Sequence, residues 1–250
     1  MRLIQLDLAD PQGFVRLPRD VDAVVHNAAT FPWTDVKATD VALCNVAGTA
    51  HLVEWAAELP NLARFIHYST ISVYGPVSTP TLEEARAPAP DEIYGSSKLA
   101  AEHLVDGLPD RLAPTHLRFP VVLGNGSHRA FIPLMADAMT RDDDVHLRNP
   151  QSPYNAMTTL PAVADLTMHL LENRPPASAV NLGAHTPLTI MAIAQMLRTR
   201  IGSRSRIIVA PEPSSCYLVT YDGASRIGYF APSVAEALHY YCESSGWSGR

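Results

Sequence analysis

Cysteine is scarce in this 250-residue chain: Cys44, Cys216 and Cys242 are odd in number and far apart. They make neither a disulfide framework nor a metal-ligand set, which points to a reducing compartment. Charge is sparse too, at 18% of residues with a net charge of -6. That balance gives no support for nucleic-acid or anionic-membrane binding. The only dense basic group, RTRIGSRSR at residues 198–206, reads as a solvated helix end and loop, with a phosphate contact as the minor alternative. No apolar run reaches the ~18 residues of a membrane helix. Asp7 and Asp10 fall where a signal peptide would need apolar residues. The expectation is a cytoplasmic protein. The histidines form no H-x-x-x-H or H-E-x-x-H arrangement, so no metal site is expected. His67 alternates with Phe65 and reads as packed. Residues 142–144 lack the alternating oxygen ligands of a calcium loop and read as solvated. No serine sits in a G-x-S-x-G turn, which disfavours covalent hydrolysis.

What is present is a hydrophobic fraction of 47% and a regular alternation of short apolar runs with longer helical patterns. Residues 2–6, 23–26, 64–68 and 115–118 read as strands. Residues 40–59, 94–107 and 128–140 read as helices. The rhythm predicts an α/β fold, a mostly parallel sheet with helices on both faces. Ligands of such sheets gather beyond the carboxyl ends of the strands, where Asp7, residues 27–29, Ser69 and Thr70 fall. Later, residues 123–126 read as a turn and 141–155 as polar and proline-bearing. Helices are expected at 163–172, 188–201 and 233–242, and strands at 179–181 and 206–209. These pieces are expected partly to return to the sheet and partly to build a small C-terminal substrate-binding cap. The core is thus expected over 1–122 with segments near 155–183, and the cap over 123–154 and 184–250. The proline-rich stretch 76–90 is a connector or a substrate-facing loop.

Tyr94 and Lys98 are four apart and share one helix face. An ammonium beside a phenol favours the phenolate and brings it nearer to useful acid/base range. Thr70, just past a strand, can hold a substrate oxygen. Asn45, a short amide inside a helix, can orient a water or backbone group behind Lys98. The plainer readings are a packing aromatic at Tyr94, a solvated Lys98 paired with Glu102, and a surface Asn45.

Together these segments resemble the extended short-chain dehydrogenase/reductase family, in its NAD-dependent epimerase/dehydratase branch. The resemblance runs through LDLAD (6–10), VVHNAA (24–29), NVAGTAHLVEWA (45–56), FIHYSTISVYG (65–75) and TLEEARAPAPDEIYGSSKLAAEHL (81–104). It continues in RFPVVLG (118–124), VNLGAHTPLTIMAIAQML (180–197) and SRIGYFAP (225–232). It implies that Tyr94 is the catalytic acid/base, that Lys98 lowers its pKa and holds the nicotinamide ribose, and that Thr70 donates to the reacting oxygen. Asn45 would support the proton path. Asp7 and Leu8 would lie near adenine, Ala28 and Ala29 beneath the dinucleotide, and Pro120 beside the nicotinamide. NAD or NADP is the implied cofactor, a small molecule the substrate, and a homodimer through the helices at 40–59 and 94–107 the implied assembly.

Two departures qualify the resemblance. Relatives begin with a strand, a G-x-x-G-x-x-G turn and a helix, whereas Met1 falls about where their third strand starts. Two alternatives follow for a truncated Rossmann-like sheet. Either an N-terminal segment precedes this sequence in the natural protein and completes the cofactor site, or a shortened fold has another use. In the second case 2–6 would pair directly with 23–26. Each lost amide–phosphate bond would cost roughly 1.5–3 kcal/mol of cofactor binding. At the substrate end, Val121, Thr158 and Leu218 stand where nucleotide-sugar relatives often carry asparagine and arginines. That disfavours a nucleotide diphosphate-sugar and leaves a smaller alcohol, ketone or modified sugar. Arg118, Arg129 and Arg148 are possible substitutes, with Arg118 also readable as closing its strand. The readings are an NAD(P)-dependent oxidoreductase or epimerase/dehydratase, a cofactor-independent isomerase or dehydratase, and a non-catalytic binding protein on a shortened fold.

Overall fold

The computed structural model describes residues 2–32, 35–173, 175, 179–211 and 215–247. The strands, in chain order, are β1 (Ala23–His26), β2 (Arg64–Thr70), β3 (Thr81–Leu82), β4 (Thr115–Phe119), β5 (Val121–Leu123) and β6 (Val145–Leu147). They continue as β7 (Pro153–Tyr154), β8 (Met157–Thr159), β9 (Ala179–Asn181), β10 (Leu188–Thr189), β11 (Ile207–Val209) and β12 (Leu218–Val219). The helices are α1 (Ala38–Ala42), α2 (Gly48–Ala57), α3 (Ile93–Asp106) and α4 (Phe131–Thr140). After them come α5 (Leu160–Asn173), α6 (Ile190–Ile201), α7 (Asp222–Arg226) and α8 (Val234–Ser244).

The chain divides into two compact units. The first comprises Met1–Pro76, Ala85–Arg118 and His169–Val180. Its sheet has the order β1-β2-β4-β9 and is mostly parallel, with β1 and β2 in register from Ala23 opposite Arg64 to His26 opposite His67. β2 is covered nearly throughout, as its apolar run predicts. Its odd-numbered side chains share one face. Phe65 enters an apolar cluster with Leu52, Ala56, Leu59, Val105 and Leu112, to which Phe14 also belongs.

Residues 2–6 form no strand, which corrects the expected pairing with β1. A strand needs a hydrogen-bonded neighbour and a covered face, and Leu3 is 89% exposed. Leu6 instead packs on the apolar cluster, and Asp10 caps a short 3-10 helix over Pro11–Arg16. The single helix expected over 40–59 is broken into α1, a π-helical turn at Leu43–Ala47, and α2.

The second unit comprises Val77–Glu84, Phe119–Met168 and Asn181–Arg250. It is built from two-stranded pairings: β10 with β7, β11 with β6, β12 with β3, and β5 with β8. Its core gathers Leu123, Ile132, Met135, Leu147, Ile193 and Leu238. Several boundaries differ from expectation. The turn expected at 123–126 is present from Gly124, whose carbonyl accepts from the Ser127 amide at 3.0 Å, with Leu123 ending β5. Helix α4, by contrast, starts only at Phe131, after Arg129 takes a left-handed φ of 58°. The polar stretch after residue 141 carries β6 and β7, and the proline-rich stretch carries β3. The basic run and the acidic run meet each other: Asp142 accepts from Ser203 and from the Arg204 amide, and Asp144 takes both nitrogens of the Arg206 fork. Thr158 is buried and shares a hydrogen bond of 2.7 Å with the Tyr229 hydroxyl, so this position serves the core. Among the described residues no helix is long and apolar enough to cross a membrane, and no group of histidine, cysteine and acidic side chains forms a metal site.

Candidate active site

Helix α3 begins at Glu92, whose carboxylate accepts from the amides of Tyr94 (2.9 Å) and Gly95 (2.6 Å). A carboxylate on free N-terminal amides stabilises the first turn. Gly95 is needed there: a Cβ would stand 2.4 Å from the Ser72 carbonyl oxygen. The first turn of α3 therefore lies directly on the Ile71–Tyr74 turn that follows β2. Thr70 opens that turn by accepting from the Ser72 amide at 3.2 Å.

Four residues recur at intervals of four along α3: Tyr94, Lys98, Glu102 and Asp106. Three of them meet a polar layer on β2 and β4. Lys98, 2% exposed, sets its Nζ 2.8 Å from His67 Nε2. Glu102, equally buried, accepts from Ser69 Oγ, from Arg118 Nε at 3.0 Å and from a second Arg118 nitrogen at 2.6 Å. Asp106 Oδ1 lies 2.9 Å from His116 Nε2. His67 and His116 join at 3.1 Å through their Nδ1 atoms. His26 stacks on His67 with centroids 5.3 Å apart and lies 2.9 Å from Thr49 Oγ1. Since that hydroxyl donates to the Asn45 carbonyl, it accepts from His26, which is therefore protonated on Nε2.

The electrostatics differ from the expectation of a phenol eased by its lysine. Burial, then the Glu92 carboxylate, pushes the Tyr94 phenol up to about 12. Its ring packs on Phe31 at 4.4 Å. Burial brings the Lys98 ammonium down to about 8, while Glu102 and Cys44 hold it up. Burial and Lys98 bring His26 down to about 4, and the same causes hold His67 well below the usual imidazole value. Lys98 is thus neither solvated nor bonded to Glu102; its partner is His67. Arg118 does more than close a strand: it clamps Glu102 and donates to the Tyr74 hydroxyl at 2.8 Å.

Asn45 is 1% exposed. Its Oδ1 accepts from the Thr30 amide at 2.6 Å, and its Nδ2 donates to the Thr30 carbonyl and to Ser97 Oγ, both at 2.9 Å. One amide thereby ties the loop after β1 to the first turns of α3, and the π-helical turn around it is a recurrent feature of functional sites. The clamp leaves Ala28 and Ala29 exposed beyond the end of β1. Asp7 is exposed and accepts from the Ala9 amide, while the Leu8 carbonyl accepts from His51 Nδ1 at 2.9 Å. Pro120 belongs to the second unit.

The described residues fit one end of a dinucleotide better than the other. Tyr94, Lys98 and Thr70 have the chemistry to hold a ribose and a reacting oxygen. The early glycines serve protein packing: a Cβ at Gly13 would meet Leu6 at 2.4 Å, and one at Gly48 would meet Leu8 at 2.8 Å. Among the described residues no glycine-rich turn between a strand and a helix presents amides to a diphosphate. Motif reading named His67 only as packed and Glu102 only as a partner of Lys98, and it missed His116 and Asp106, because the neighbouring strands β2 and β4 bring the two histidines against α3. The visible signal was a histidine in each of three successive strand patterns, AVVH, FIH and TH.

The family model of the NAD dependent epimerase/dehydratase family matches residues 1–183. The chain belongs to that family. Among individual proteins it is similar to dTDP-D-glucose 4,6-dehydratase of Homo sapiens, 33% identical over 132 residues, 51% of this chain and 36% of the relative. The matched stretch thus spans about a third of that curated relative. The fold is shared with UDP-glucuronic acid 4-epimerase from Bacillus cereus in complex with NAD (TM-score 0.75, 22% identity, 93% of this chain and 78% of that one). It is also shared with RMD from Pseudomonas aeruginosa complexed with NADPH (TM-score 0.77, 20% identity, 99% and 88%).

Proposed function

We propose that this chain is an NAD(P)-dependent oxidoreductase or epimerase/dehydratase-like enzyme acting on a sugar-like or small alcohol or ketone substrate. The observation that carries the reading is the α3 ladder: a Tyr94–Lys98 pair on a helix whose first turn rests on the segment opened by Thr70. Family membership and the NAD and NADPH complexes of proteins with this fold support the cofactor. The names of the similar proteins support a sugar-like substrate. Lys98 is the residue that would hold the nicotinamide ribose; Ala28 and Ala29 would offer a small-residue surface beneath the dinucleotide, and Asp7 and Leu8 would face adenine.

A bound nicotinamide supplies the hydride acceptor or donor. The chain supplies the oxygen chemistry. Thr70 Oγ1 holds the substrate oxygen, and the Tyr94 hydroxyl gives a proton to a carbonyl oxygen or takes one from an alcohol. With its pKa pushed up to about 12, the phenol stays protonated at neutral pH and gives up its proton less readily than a free phenol. Proton removal therefore needs the Lys98 charge close to the phenolate as it forms. Tyr94→Phe should lower kcat by roughly 10²–10⁴ while NAD(H) or NADP(H) binding, followed by fluorescence titration, changes little. An unchanged kcat would overturn this assignment.

A cofactor-independent isomerase or dehydratase on the same residues is favoured by one observation, the lack of a diphosphate cradle among the described residues. Titration with both dinucleotides, and activity after exhaustive dinucleotide removal, separate the two. A homodimer through α2 and α3 accords with exposed Leu43 and Ile93 beside those helices, and sedimentation of wild type against Leu43→Glu tests it.

A further inference from the structure

We propose that His67, His116 and Asp106 form a proton relay linking the buried Lys98 ammonium to solvent at the far end of α3. This rests on the reading of Lys98 as part of the site. The links are 2.8 Å from Lys98 Nζ to His67 Nε2, 3.1 Å between the two Nδ1 atoms, and 2.9 Å from His116 Nε2 to Asp106 Oδ1. Lys98, His67 and His116 are almost wholly buried, whereas the Asp106 side chain is 55% exposed. The chain therefore runs from the interior to water.

One set of tautomers satisfies every link. The ammonium donates to His67 Nε2, His67 Nδ1–H donates to His116 Nδ1, and His116 Nε2–H donates to the Asp106 carboxylate. A second set also does so, with two protons shifted in concert and one positive charge displaced. Lys98 gives its proton to His67 Nε2 as His67 gives its Nδ1 proton to His116. Lys98 is then a neutral amine, His67 carries hydrogen on Nε2, and His116 is an imidazolium against Asp106. The positive charge has crossed from helix to strand edge with no ring rotation, and reversal restores the ammonium. A lysine seeking only a buried acceptor would need the first imidazole alone; the second imidazole and the half-exposed carboxylate extend the path outward.

The charged and titratable groups around the path are few. Glu102 on α3 and Cys44 on the π-helical turn face Lys98, and His26 on β1 stacks on His67. His103 and Arg118 bear on Asp106. Glu102 is occupied by Arg118 and Ser69, so it offers Lys98 no competing hydrogen-bonded route.

His116→Gln tests the relay, because a side-chain amide can accept from His67 and donate to Asp106 yet does not pass protons on. The primary measurement needs no turnover: solvent exchange of the Lys98 ammonium protons, followed by NMR on 15N-lysine-labelled full-length protein. The relay predicts exchange about tenfold slower in H116Q, with the thermal midpoint retained, and in wild type a neutral His67 protonated on Nδ1 with His116 protonated on Nε2. Exchange as fast as wild type, or the opposite tautomers, overturns it. If H116Q fails to fold, Asp106→Asn carries the same exchange test, since it removes the proton acceptor and keeps a hydrogen-bonding oxygen. Where wild type turns over substrate, H116Q should lower kcat with unchanged KM and raise the solvent deuterium isotope effect. A wild type with no turnover would sink the functional reading alone, since the exchange result still decides the relay.

Discussion

At the scale of single residues, the buried charges set the terms. Glu102 and Arg118 are 2% and 6% exposed and meet as a two-point pair, with Ser69 and Tyr74 using further positions on each. Removing one partner of such a pair leaves a charge with no solvent, at a cost of about 3–5 kcal/mol. Arg118→Met should lower unfolding free energy by that amount in urea titration, and adding Glu102→Gln should recover a large part of it. Additive losses in the double variant would contradict the pairing. Tyr94 and Lys98 were legible in the sequence, because i, i+4 spacing survives any tertiary arrangement. The Lys98 partner was not, because His67 lies 31 residues away.

At the scale of elements, α3 was legible almost to its ends, from its apolar periodicity and its terminal Gly107. Its seating was hidden. A Cβ at Gly95 would meet backbone oxygen, which cannot swing aside as a side chain would. Gly95→Ala should therefore displace the first turn of α3 from the Ile71–Tyr74 turn, destabilising the protein by roughly 1–3 kcal/mol and lowering kcat through Tyr94. Calorimetry with steady-state kinetics checks both. Full stability in that variant would mean the close approach is not maintained. Asn45 shows the same division: its poor helix propensity marked an anomaly at that position, yet the break into a π-helical turn and the clamp on Thr30 require the loop and α3 to be in place.

At the scale of the whole molecule, stability should follow buried bases. His26 carries a folded-state pKa of about 4 against an ordinary 6.5, so between these values the unfolded chain binds more protons. Its contribution is present above pH 6.5 and is lost as pH falls toward 4, amounting to about 3 kcal/mol from this group. His67, lowered in the same direction, steepens the loss. Lys98, at about 8 against 10.5, makes stability rise again from pH 8 to 10.5. Urea midpoints across pH 4–10.5 should trace both rises, and His26→Gln should flatten the acidic one.

The sequence by itself determined the alternation of strands and helices, the family, and the Tyr94–Lys98 spacing on α3. Each depends on neighbours along the chain or on local periodicity, so each can be read in one dimension. The tertiary structure alone decided that residues 2–6 form no strand, that α1 and α2 are separated by a π-helical turn, and that Lys98 turns to a histidine. It also decided that His67 and His116 stand side by side between Lys98 and Asp106. Strand order and register bring together side chains 49 residues apart, and burial then fixes which of them can carry charge.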